Sequence, residues 1–464
     1  MTTSTTATAP TDGTEHVVVV GGGFAGTTLA RALQRRRGRG FRVTLLSEEN
    51  YTTYNPMLPE VVGSTVLPGQ VIAPLRLVLG RGQRFVMGRA VGLDARARRL
   101  LYVCGGRECA LHYDHLVLAP GARAGLEMVP GLARHAIPLK LIGDAMRIRN
   151  EVIGRLEQAT QTGDAEERRR LLRFVVIGGG FSGVEVAGEI HDLAGGALRH
   201  YPGLDREEMR VTLVHGGDRL LPELRPRLAE KAARGMRQRG IEILFKALAR
   251  EVDGDGLRAA LSDGTETRIE AGTVVSTVGT APNPLVAEFG LPVENGRIRT
   301  RPDMSVEGLP GLWAIGDCAA VPNATTGATA PPTAQFAVRE ARQLAQNLRR
   351  TRDGQPTRPF AFGGLGTLAT IGNRRGVAEV LGVPVTGFPA WLLWRAFYLS
   401  QMPTLSRRLQ IFVAWTWDML FPSDIAQLRF TSSAEADRAT AAAPPVQDDA
   451  PQRAEPARAG SHAR

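Results

Sequence analysis

Lysine is nearly missing from this 464-residue chain: of its 57 basic residues, only Lys140, Lys231 and Lys246 are not arginine. Cysteine is scarce too, with Cys104, Cys109 and Cys318 alone. Three thiols cannot frame a disulfide-stapled fold, and they fit a reducing compartment, so a cytoplasmic protein is expected. No apolar run reaches the ~18–20 uncharged residues that cross a bilayer as a helix, which excludes a polytopic helical membrane protein. The first 14 residues are rich in Thr and Ala and lack both a basic start and an apolar stretch, so they do not read as a secretory signal. There is no zinc-ligand array and no basic stripe with interleaved aromatics, which argues against nucleic acid as the partner of a chain charged +11. The arginine surplus suits anionic lipid or acidic substrates, or reflects only the base composition of a genome.

What is present is an ordinary globular composition, 43% hydrophobic and 22% charged. At ~150 residues per domain the length predicts about three domains. Residues 1–14 and 433–464 read as a disordered leader and tail, since they hold almost no large apolar side chains. Between them strand and helix patterns alternate, which predicts an α/β fold with parallel sheets. The arginine-rich stretch 167–173 reads as the solvated end of a connecting helix.

One arrangement occurs twice. Val17-Val18-Val19-Val20 runs into Gly21-Gly22-Gly23-Phe24-Ala25-Gly26, then a helical stretch over 27–36 and a second apolar run over 41–46. Phe174-Val175-Val176-Ile177 runs into Gly178-Gly179-Gly180-Phe181-Ser182-Gly183, then a helical stretch over 184–198 and a strand over 211–214. In such a loop the first glycine makes the turn out of the strand, the second lets a pyrophosphate approach the backbone, and the third lets helix and strand pack closely. The phosphates then meet the helix N-terminus, where free N–H groups and the helix dipole favour anions. One copy is a weak signal; two copies, each between a strand and a helix, point to two dinucleotides. An acidic residue usually closes the second strand and binds ribose hydroxyls. In the first copy Ser47 stands there, followed by Glu48, the candidate. In the second copy the place holds His215, with Arg219 close by, and an arginine can accept a 2′-phosphate, which leaves NADPH open beside NADH.

These residues resemble the flavoproteins with two dinucleotide-binding domains, in which the first fold holds FAD and an inserted one holds NAD(P)H. Leu312-Trp313-Ala314-Ile315-Gly316-Asp317 resembles their second FAD signature, whose Asp holds the ribityl chain. The stretches 116–121 and 275–279 look like the strands that close the FAD and NAD units. Within that group the chain is similar to the type II NADH dehydrogenases, single-chain NADH:quinone oxidoreductases, over roughly 16–430. Asn50-Tyr51 with Asn55-Pro56-Met57-Leu58-Pro59-Glu60 resembles their loop near the flavin, Gly183-Val184-Glu185-Val186-Ala187-Gly188-Glu189 the start of their NAD helix, and Pro331-Pro332-Thr333-Ala334-Gln335 their segment under the isoalloxazine, where quinone arrives.

The resemblance implies an FAD domain over 15–130 and 291–365, an inserted NAD(P)H domain over 131–290, and a C-terminal membrane-attachment or dimerisation region over 366–432. It implies FAD contacts at Gly21, Gly23, Phe24, Ala25, Gly26, Glu48, Val91, Ala119, Gly121, Gly316, Asp317 and Gln335, and NAD contacts at Gly178, Gly180, Phe181, Ser182, Gly183, Glu185 and Gly279. Glu185 is the candidate acid near the nicotinamide; its plain alternative is a helix-start carboxylate favoured by the dipole. Gln335 is the candidate for positioning quinone or flavin; its alternative is a polar residue opening a helix. No metal is expected. Arg339 and Glu340 stand where many members carry a second Gln, and His215 stands where Glu is usual.

The implied activity is hydride transfer from NADH to FAD and two electrons to a membrane quinone, ubiquinone or menaquinone, without proton pumping. A soluble flavin reductase serving a small redox protein and a non-catalytic NADH-binding flavoprotein are the alternatives. Disulfide reductases need a redox cysteine pair beside the flavin. Cys104 and Cys109 have such a spacing, but they flank Gly105-Gly106-Arg107-Glu108, which reads as a hairpin turn. Sulfide:quinone oxidoreductases need separated redox cysteines, and Cys318 reads as a small buried residue.

Four of the five tryptophans, Trp391, Trp394, Trp415 and Trp417, crowd the C-terminal region. Trp391, Trp394 and Tyr398 share a face at helical spacing, and so do Leu409, Val413, Trp417 and Leu420. Neither stretch is long enough to span a bilayer. By pattern alone an interfacial helix pair and an aromatic core or dimer face are equal readings. The resemblance implies the first: a peripheral, monotopic attachment to the cytoplasmic face of the membrane, with a homodimer expected.

Overall fold

The structure, a computed structural model, describes residues 14–34, 40–80, 82–364, 366–372, 374–380 and 382–428. The expected leader (but for Thr14) and the expected tail lie outside the described residues.

Strand β1 (Glu15–Val20) carries the four-valine run, and every one of those valines is buried. A β-branched run wetted on neither face belongs in the middle of a parallel sheet covered on both sides. It lies between β2 (Phe41–Ser47) and β4 (His115–Leu118), with β3 (Arg84–Met87) and β10 (Leu312–Ala314) at the outer positions. The order is β10-β4-β1-β2-β3, all parallel.

The second glycine run sits in the same place of a second sheet. Strand β6 (Arg173–Ile177) lies between β7 (Arg210–Val214) and β9 (Thr273–Ser276), flanked by β5 (Ala136–Pro138) and β8 (Ile241–Leu244). The order β5-β9-β6-β7-β8 repeats the first, again all parallel. The chain leaves the first sheet after β4, builds the second, and returns to pair β10 with β4. The fold is therefore α/β with two Rossmann-like units, the second inserted in the first.

Both nucleotide helices start earlier than their apolar patterns predict. Helix α1 spans Phe24–Gln34 and α4 spans Phe181–Ala197. The first helical bonds run from Thr27 N to Gly23 O at 3.1 Å and from Val184 N to Gly180 O at 3.0 Å. The middle glycines therefore cap the helices, and the loop itself forms the first turn. That turn carries the N–H groups with no partner inside the helix. The stretch after Gln34, up to residue 39, lies outside the described residues.

Residues 366–387 form a three-stranded antiparallel meander, Gly366–Thr370, Gly376–Val380 and Val383–Gly387. Helices α6 (Phe388–Gln401) and α7 (Leu405–Leu420) follow, and α6 packs on the meander. They share a core with the second Rossmann unit: Trp394, Ile411 and Trp415 belong to the same buried cluster as Val184, Val186 and Ala187. Helix α2 (Leu58–Val62) is wedged against α3 (Ile142–Gln161) and α4 in that cluster.

The third glycine of each loop explains the close helix–strand packing. A Cβ on Gly26 would stand 2.0 Å from the Gly21 carbonyl oxygen, and one on Gly183 would stand 1.7 Å from that of Gly178. Gly183→Ala therefore pushes α4 off β6. We expect it to lower stability by about 1–3 kcal/mol, as overpacking does, read as the shift of the denaturation midpoint; an unchanged midpoint would contradict this packing.

Candidate active site

The two glycine loops are near copies in three dimensions. Gly21 and Gly178 have φ of +113° and +116°, a region closed to ordinary side chains. The Ala119 carbonyl oxygen lies 2.1 Å from where a Cβ on Gly21 would stand, so that turn admits only glycine. At Gly23 and Gly180 an added Cβ meets nothing within 4 Å. Each middle glycine thus faces open space at a helix N-terminus, bounded by the first-turn residues Phe24 and Ala25 in one copy and Phe181 and Ser182 in the other. An anion can approach the backbone there, so the residues present fit a dinucleotide at each mouth.

Around the first mouth three separate segments converge. The Gly316-Asp317 turn follows β10, and a Cβ on Gly316, at φ +75°, would stand 3.2 Å from that of Ala25 and 3.6 Å from that of Ala337. Ala337 and Gln335 lie in the first turns of α5 (Ala334–Arg352), which packs on α1. Gln335 is half-buried at this junction. Asp317 Oδ2 lies 3.9 Å from Lys140 Nζ, and the Lys140 carbonyl accepts from Asn55 Nδ2 at 3.2 Å. The stretch 55–60, the crossover into the second unit and the Gly-Asp turn therefore meet at one place. Ala119 closes the exit of β4, and Gly121 follows at φ +71°. Val91 stands at a register shift in a separate antiparallel sheet. Ser47 lies against the loop, its Oγ 2.6 Å from where a Cβ on Gly22 would be, and Glu48 follows it, exposed. In the second unit Gly279, at φ +70°, accepts at its carbonyl from Gly125 N at 3.2 Å.

Glu340 has a structural place beside the Gly316-Asp317 turn. Its carboxylate is buried and accepts the Gly316 N–H at 2.6 Å, which fixes the turn that presents Asp317. Burial pushes its pKa up to about 7 against that hydrogen bond and the charge of Arg297. Arg339 instead lies over the Phe362 ring.

Glu185 is neither an exposed helix-start carboxylate nor isolated. It is buried on α4 and accepts from the Thr370 N–H at 3.1 Å and from Trp394 Nε1 at 3.0 Å. Burial raises its pKa to about 8; the two donors pull it down and the nearby Glu60 pushes it up. Glu60, on α2, is likewise buried and accepts from Trp415 Nε1 at 2.9 Å, with its pKa raised by burial to about 7 against the Arg395 charge. Glu189, one turn beyond Glu185, is raised well above the carboxylate range by burial, with Asp192 and Glu60 adding to it. Two indoles from the two C-terminal helices therefore each hold one buried carboxyl of the nucleotide units. An edge-to-face aromatic series links the same parts: Phe24 to Tyr54 at 5.3 Å, Tyr54 to Tyr398 at 5.9 Å, and Tyr398 to Trp394 at 4.4 Å. The single sequence cue for Glu60 was a carboxylate inside the apolar run Leu58-Pro59-Glu60-Val61-Val62, and for Lys140 a lysine in an arginine chain.

This overturns part of the expectation for the C-terminal helices. Trp391, Trp394 and Tyr398 do not form an interfacial face. They turn inward, Trp394 being only 1% exposed, because its indole N–H is needed by a buried carboxyl. Arg395 is sandwiched between the Trp391 and Trp415 rings, 3.9 and 4.8 Å from their centroids, and pairs with Asp418 at 3.7 Å. The second predicted face is exposed as expected: Leu409, Val413, Trp417 and Leu420 all point outward, with Trp417 61% exposed. Phe412 and, on α6, Phe388, Leu392 and Leu393 are exposed as well. Among the described residues no helix is long and apolar enough to cross a membrane.

The cysteines follow the hairpin reading. Cys104 ends one strand and Cys109 lies on the next, around Gly105-Gly106. Cys318 is buried, and burial raises its thiol to about 12, which keeps it from acting as a thiolate. Among the described residues no cluster of His, Cys, Asp or Glu could hold a metal ion.

The raised Glu185 pKa makes a stability prediction. The folded chain keeps this carboxyl protonated up to about pH 8, whereas the unfolded chain releases the proton near 4.5. The group's contribution is complete below the lower value and is lost as pH rises through the upper one. Between these limits the melting temperature of the wild type should fall relative to that of Glu185→Gln; parallel profiles would contradict the assignment.

Comparison with known proteins agrees with this geometry. The pyridine nucleotide-disulphide oxidoreductase family profile matches residues 15–341, and the NDH2 C-terminal domain profile matches residues 365–424. Two type II NADH:quinone oxidoreductases of Mycobacterium tuberculosis are similar: NdhA is 31% identical over 431 residues, covering 89% of each chain, and Ndh is 29% identical over 415 residues, covering 86% of this chain and 87% of its own. The solved structure of NDH2 from Plasmodium falciparum in complex with NADH superposes with a TM-score of 0.82 at 19% identity, covering 89% of this chain and 99% of that one. The sulfide:quinone oxidoreductase of Aquifex aeolicus shares the fold at a TM-score of 0.69 and 16% identity, covering 89% of this chain and 96% of that one. With both glycine cradles, the Gly-Asp turn and the C-terminal helices in place, the chain belongs to the type II NADH:quinone oxidoreductases, within the pyridine nucleotide-disulphide oxidoreductase family.

Proposed function

We infer that this chain is an FAD-dependent, non-proton-pumping NADH:quinone oxidoreductase working at a membrane surface. The observation that carries the reading is the pair of matched glycine cradles, one beside the Gly316-Asp317 turn and one without such a turn. The first cradle holds FAD through Gly21, Gly23 and Gly26, with Phe24, Ala25, Ala119, Gly121, Gly316, Asp317 and Gln335 around it; Glu48 and Val91 are the outlying members of that set. The second holds NADH through Gly178, Gly180 and Gly183, with Phe181, Ser182, Glu185 and Gly279. FAD, when bound, accepts the hydride of NADH and passes two electrons to the quinone.

The protein's part is positioning, exclusion of water and proton handling. The backbone N–H groups of each loop fix a pyrophosphate, and so fix the register of each nucleotide relative to the other. Ordering both nucleotides before reaction removes an entropy cost of up to roughly 7–11 kcal/mol. Gln335, at the start of α5, orients the quinone or the flavin. Glu185 keeps a proton at neutral pH in a dry setting beside the second cradle, which suits an acid that supplies one on demand. Lys140 offsets the charge of Asp317 at the join of the two units.

The membrane assignment rests on the exposed apolar side of α7 with Arg407 and Arg408 at its start, and on the +11 charge, which suits the anionic cytoplasmic leaflet. A peripheral protein on that face, assembled as a homodimer, completes the proposal. Domain limits of 15–130 with 291–365, 131–290 and 366–432 follow the same division of labour.

The direct test is purification in detergent, followed by absorption spectra and NADH oxidation with a short-chain quinone. Gly23→Leu should abolish flavin retention, and Gly180→Leu should keep the flavin but block its reduction by NADH. Both sites face open space, so the fold should survive both changes. A colourless wild-type protein, or the reverse pattern in the two variants, would overturn the assignment. Replacing Leu409, Val413 and Trp417 by Ser should weaken binding to anionic vesicles by about tenfold or more while leaving reduction by NADH intact; unchanged vesicle binding would remove α7 from the membrane contact.

A further inference from the structure

Quinol formation takes two electrons and two protons. The hydride of NADH supplies both electrons and one hydrogen nucleus, so one further proton per turnover has to come from solvent. Glu185 is sealed from solvent, so each proton it gives must be replaced through the protein. Glu185 begins a stripe of carboxyls along α4. Glu189 and Asp192 follow at the i, i+4, i+7 spacing that keeps side chains on one face. Helical Cα–Cβ bonds tilt toward the helix N-terminus, so each member leans toward the one before it and the series points at the second glycine loop. Enclosure falls along the series. Glu185 is buried and Glu189 is half-buried with its carboxyl turned in, Oε2 lying 1.8 Å from where a Cβ on Gly63 would stand. The Asp192 side chain is 35% exposed. Two carboxylates one turn apart repel each other when both are charged, so a stripe of this kind retains protons.

The groups that face the stripe hold its inner end and leave a donor open. Thr370 N–H and Trp394 Nε1 both donate to the same oxygen of Glu185, Oε1, at 3.1 and 3.0 Å, so Oε2 is the oxygen that carries the proton. From α2 comes a second buried carboxyl, Glu60, held by Trp415. From α6 and α7 come Arg395 and Asp418, 3.7 Å apart. Arg395 is 7% exposed, and its Nε is buried with no hydrogen-bond partner among the described residues. A buried donor of this kind is ordinarily met by an ordered water, and water between carboxyls lets a proton cross gaps that the side chains do not close. Tyr398 of α6 also faces Glu185, and Arg374 of the meander faces Asp418. At the outer end the Arg239 guanidinium pairs with Asp192 and lies 3.3 Å from His191 Nδ1. Burial holds the carboxyls of Glu185, Glu189 and Glu60 above the usual carboxylate range, so protons are there to pass at neutral pH.

We propose that the solvent proton of each turnover enters at Glu189, beside the Asp192–Arg239 rim, and passes along this face of α4 to Glu185. The proposal rests on reading Glu185 as the acid of the reaction, and it adds the route that recharges it. Glu185 breaks its O–H bond and gives the proton to a quinone oxygen that has received the electrons of NADH. It regains a proton from Glu189, and Glu189 takes one from water, so each carboxyl ends the cycle as it began. Glu189 acts through Glu185, as a positioning residue for the proton.

The test uses the full-length, FAD-loaded protein in detergent, with NADH and a short-chain quinone. Glu189→Gln keeps the shape of a protonated glutamate but cannot relay a proton. Loss of yellow absorbance on mixing with NADH should stay within about twofold of the wild-type rate, while kcat for quinone reduction should fall by about tenfold or more. Formic acid, added as a small proton carrier, should restore part of the lost rate, and the solvent deuterium isotope effect on the quinone step should rise. A merely structural role would move neither. Glu189→Asp, which keeps a carboxyl, should retain more of the rate than Glu189→Gln. The infrared carbonyl band of the protonated Glu185, identified by its loss in Glu185→Gln, gives a readout apart from turnover. It should shift on transfer to D2O, and that exchange should be slower by about tenfold or more in Glu189→Gln. An unchanged quinone kcat in Glu189→Gln, or a loss that formic acid does not relieve and Glu189→Asp shares in full, would overturn the proposal. So would these effects appearing in Asp418→Asn in place of Glu189→Gln, since the proton would then enter by α7. Failure of NADH to bleach the wild-type flavin would instead overturn the functional assignment, while the D2O exchange would still decide the route.

Discussion

Everything in this molecule is arranged around a close approach between backbone and phosphate. A pyrophosphate can reach peptide N–H groups only where no Cβ intervenes and where a helix starts with its first turn facing outward. Both requirements are met twice, at Gly23 and at Gly180, by loops whose first and third glycines have no room for a side chain: Gly21, Gly26 and Gly183 abut carbonyl oxygens, and Gly178 abuts the Thr277 hydroxyl. The sheets exist to hold those loops rigid: four buried valines in β1 and the Phe174-Val175-Val176-Ile177 run in β6 leave each strand no alternative to a central position. Two rigid mouths then define where two nucleotides can lie, and the crossover through Lys140 and the Gly316-Asp317 turn ties one to the other.

The C-terminal helices are bound into this arrangement by polar contacts placed in an otherwise apolar core. A buried carboxyl without a partner is costly, and a hydrogen bond to such a group in its neutral form contributes roughly 0.5–1.5 kcal/mol. Glu60 and Glu185 each receive an indole N–H, from Trp415 and Trp394. Those bonds specify which residues of α6 and α7 must face inward, and so which remain outward. The outward set, headed by Leu409, Val413, Trp417 and Leu420, is left apolar. The helices that seat the reactive region are thus the same helices that present the exposed apolar face, and displacing one would disturb the other.

The parts of the fold legible in the sequence were those fixed by local chemistry. A four-residue β-branched run before three glycines leaves little freedom, so both cradles and the hairpin around Gly105-Gly106 could be read directly. The helix starts were placed about three residues late, because apolar periodicity is blind to a capping glycine. The facing of α6 was misread for a different reason. Helical spacing groups Trp391, Trp394 and Tyr398 on one side, but only a tertiary partner decides whether that side is wet, and Glu185 lies far away in the chain. Glu340 and Lys140 were legible only as oddities of composition or motif; their contacts with Gly316 and Asp317 depend on long-range folding.

The central claim is that one chain holds two dinucleotides so that electrons pass between them. An anaerobic titration of the purified protein with NADH tests it most directly. The account predicts that about one NADH per bound flavin removes the yellow colour and that added quinone restores it. Colour that persists in excess NADH, or that returns only when a protein or disulfide acceptor is supplied, would contradict it.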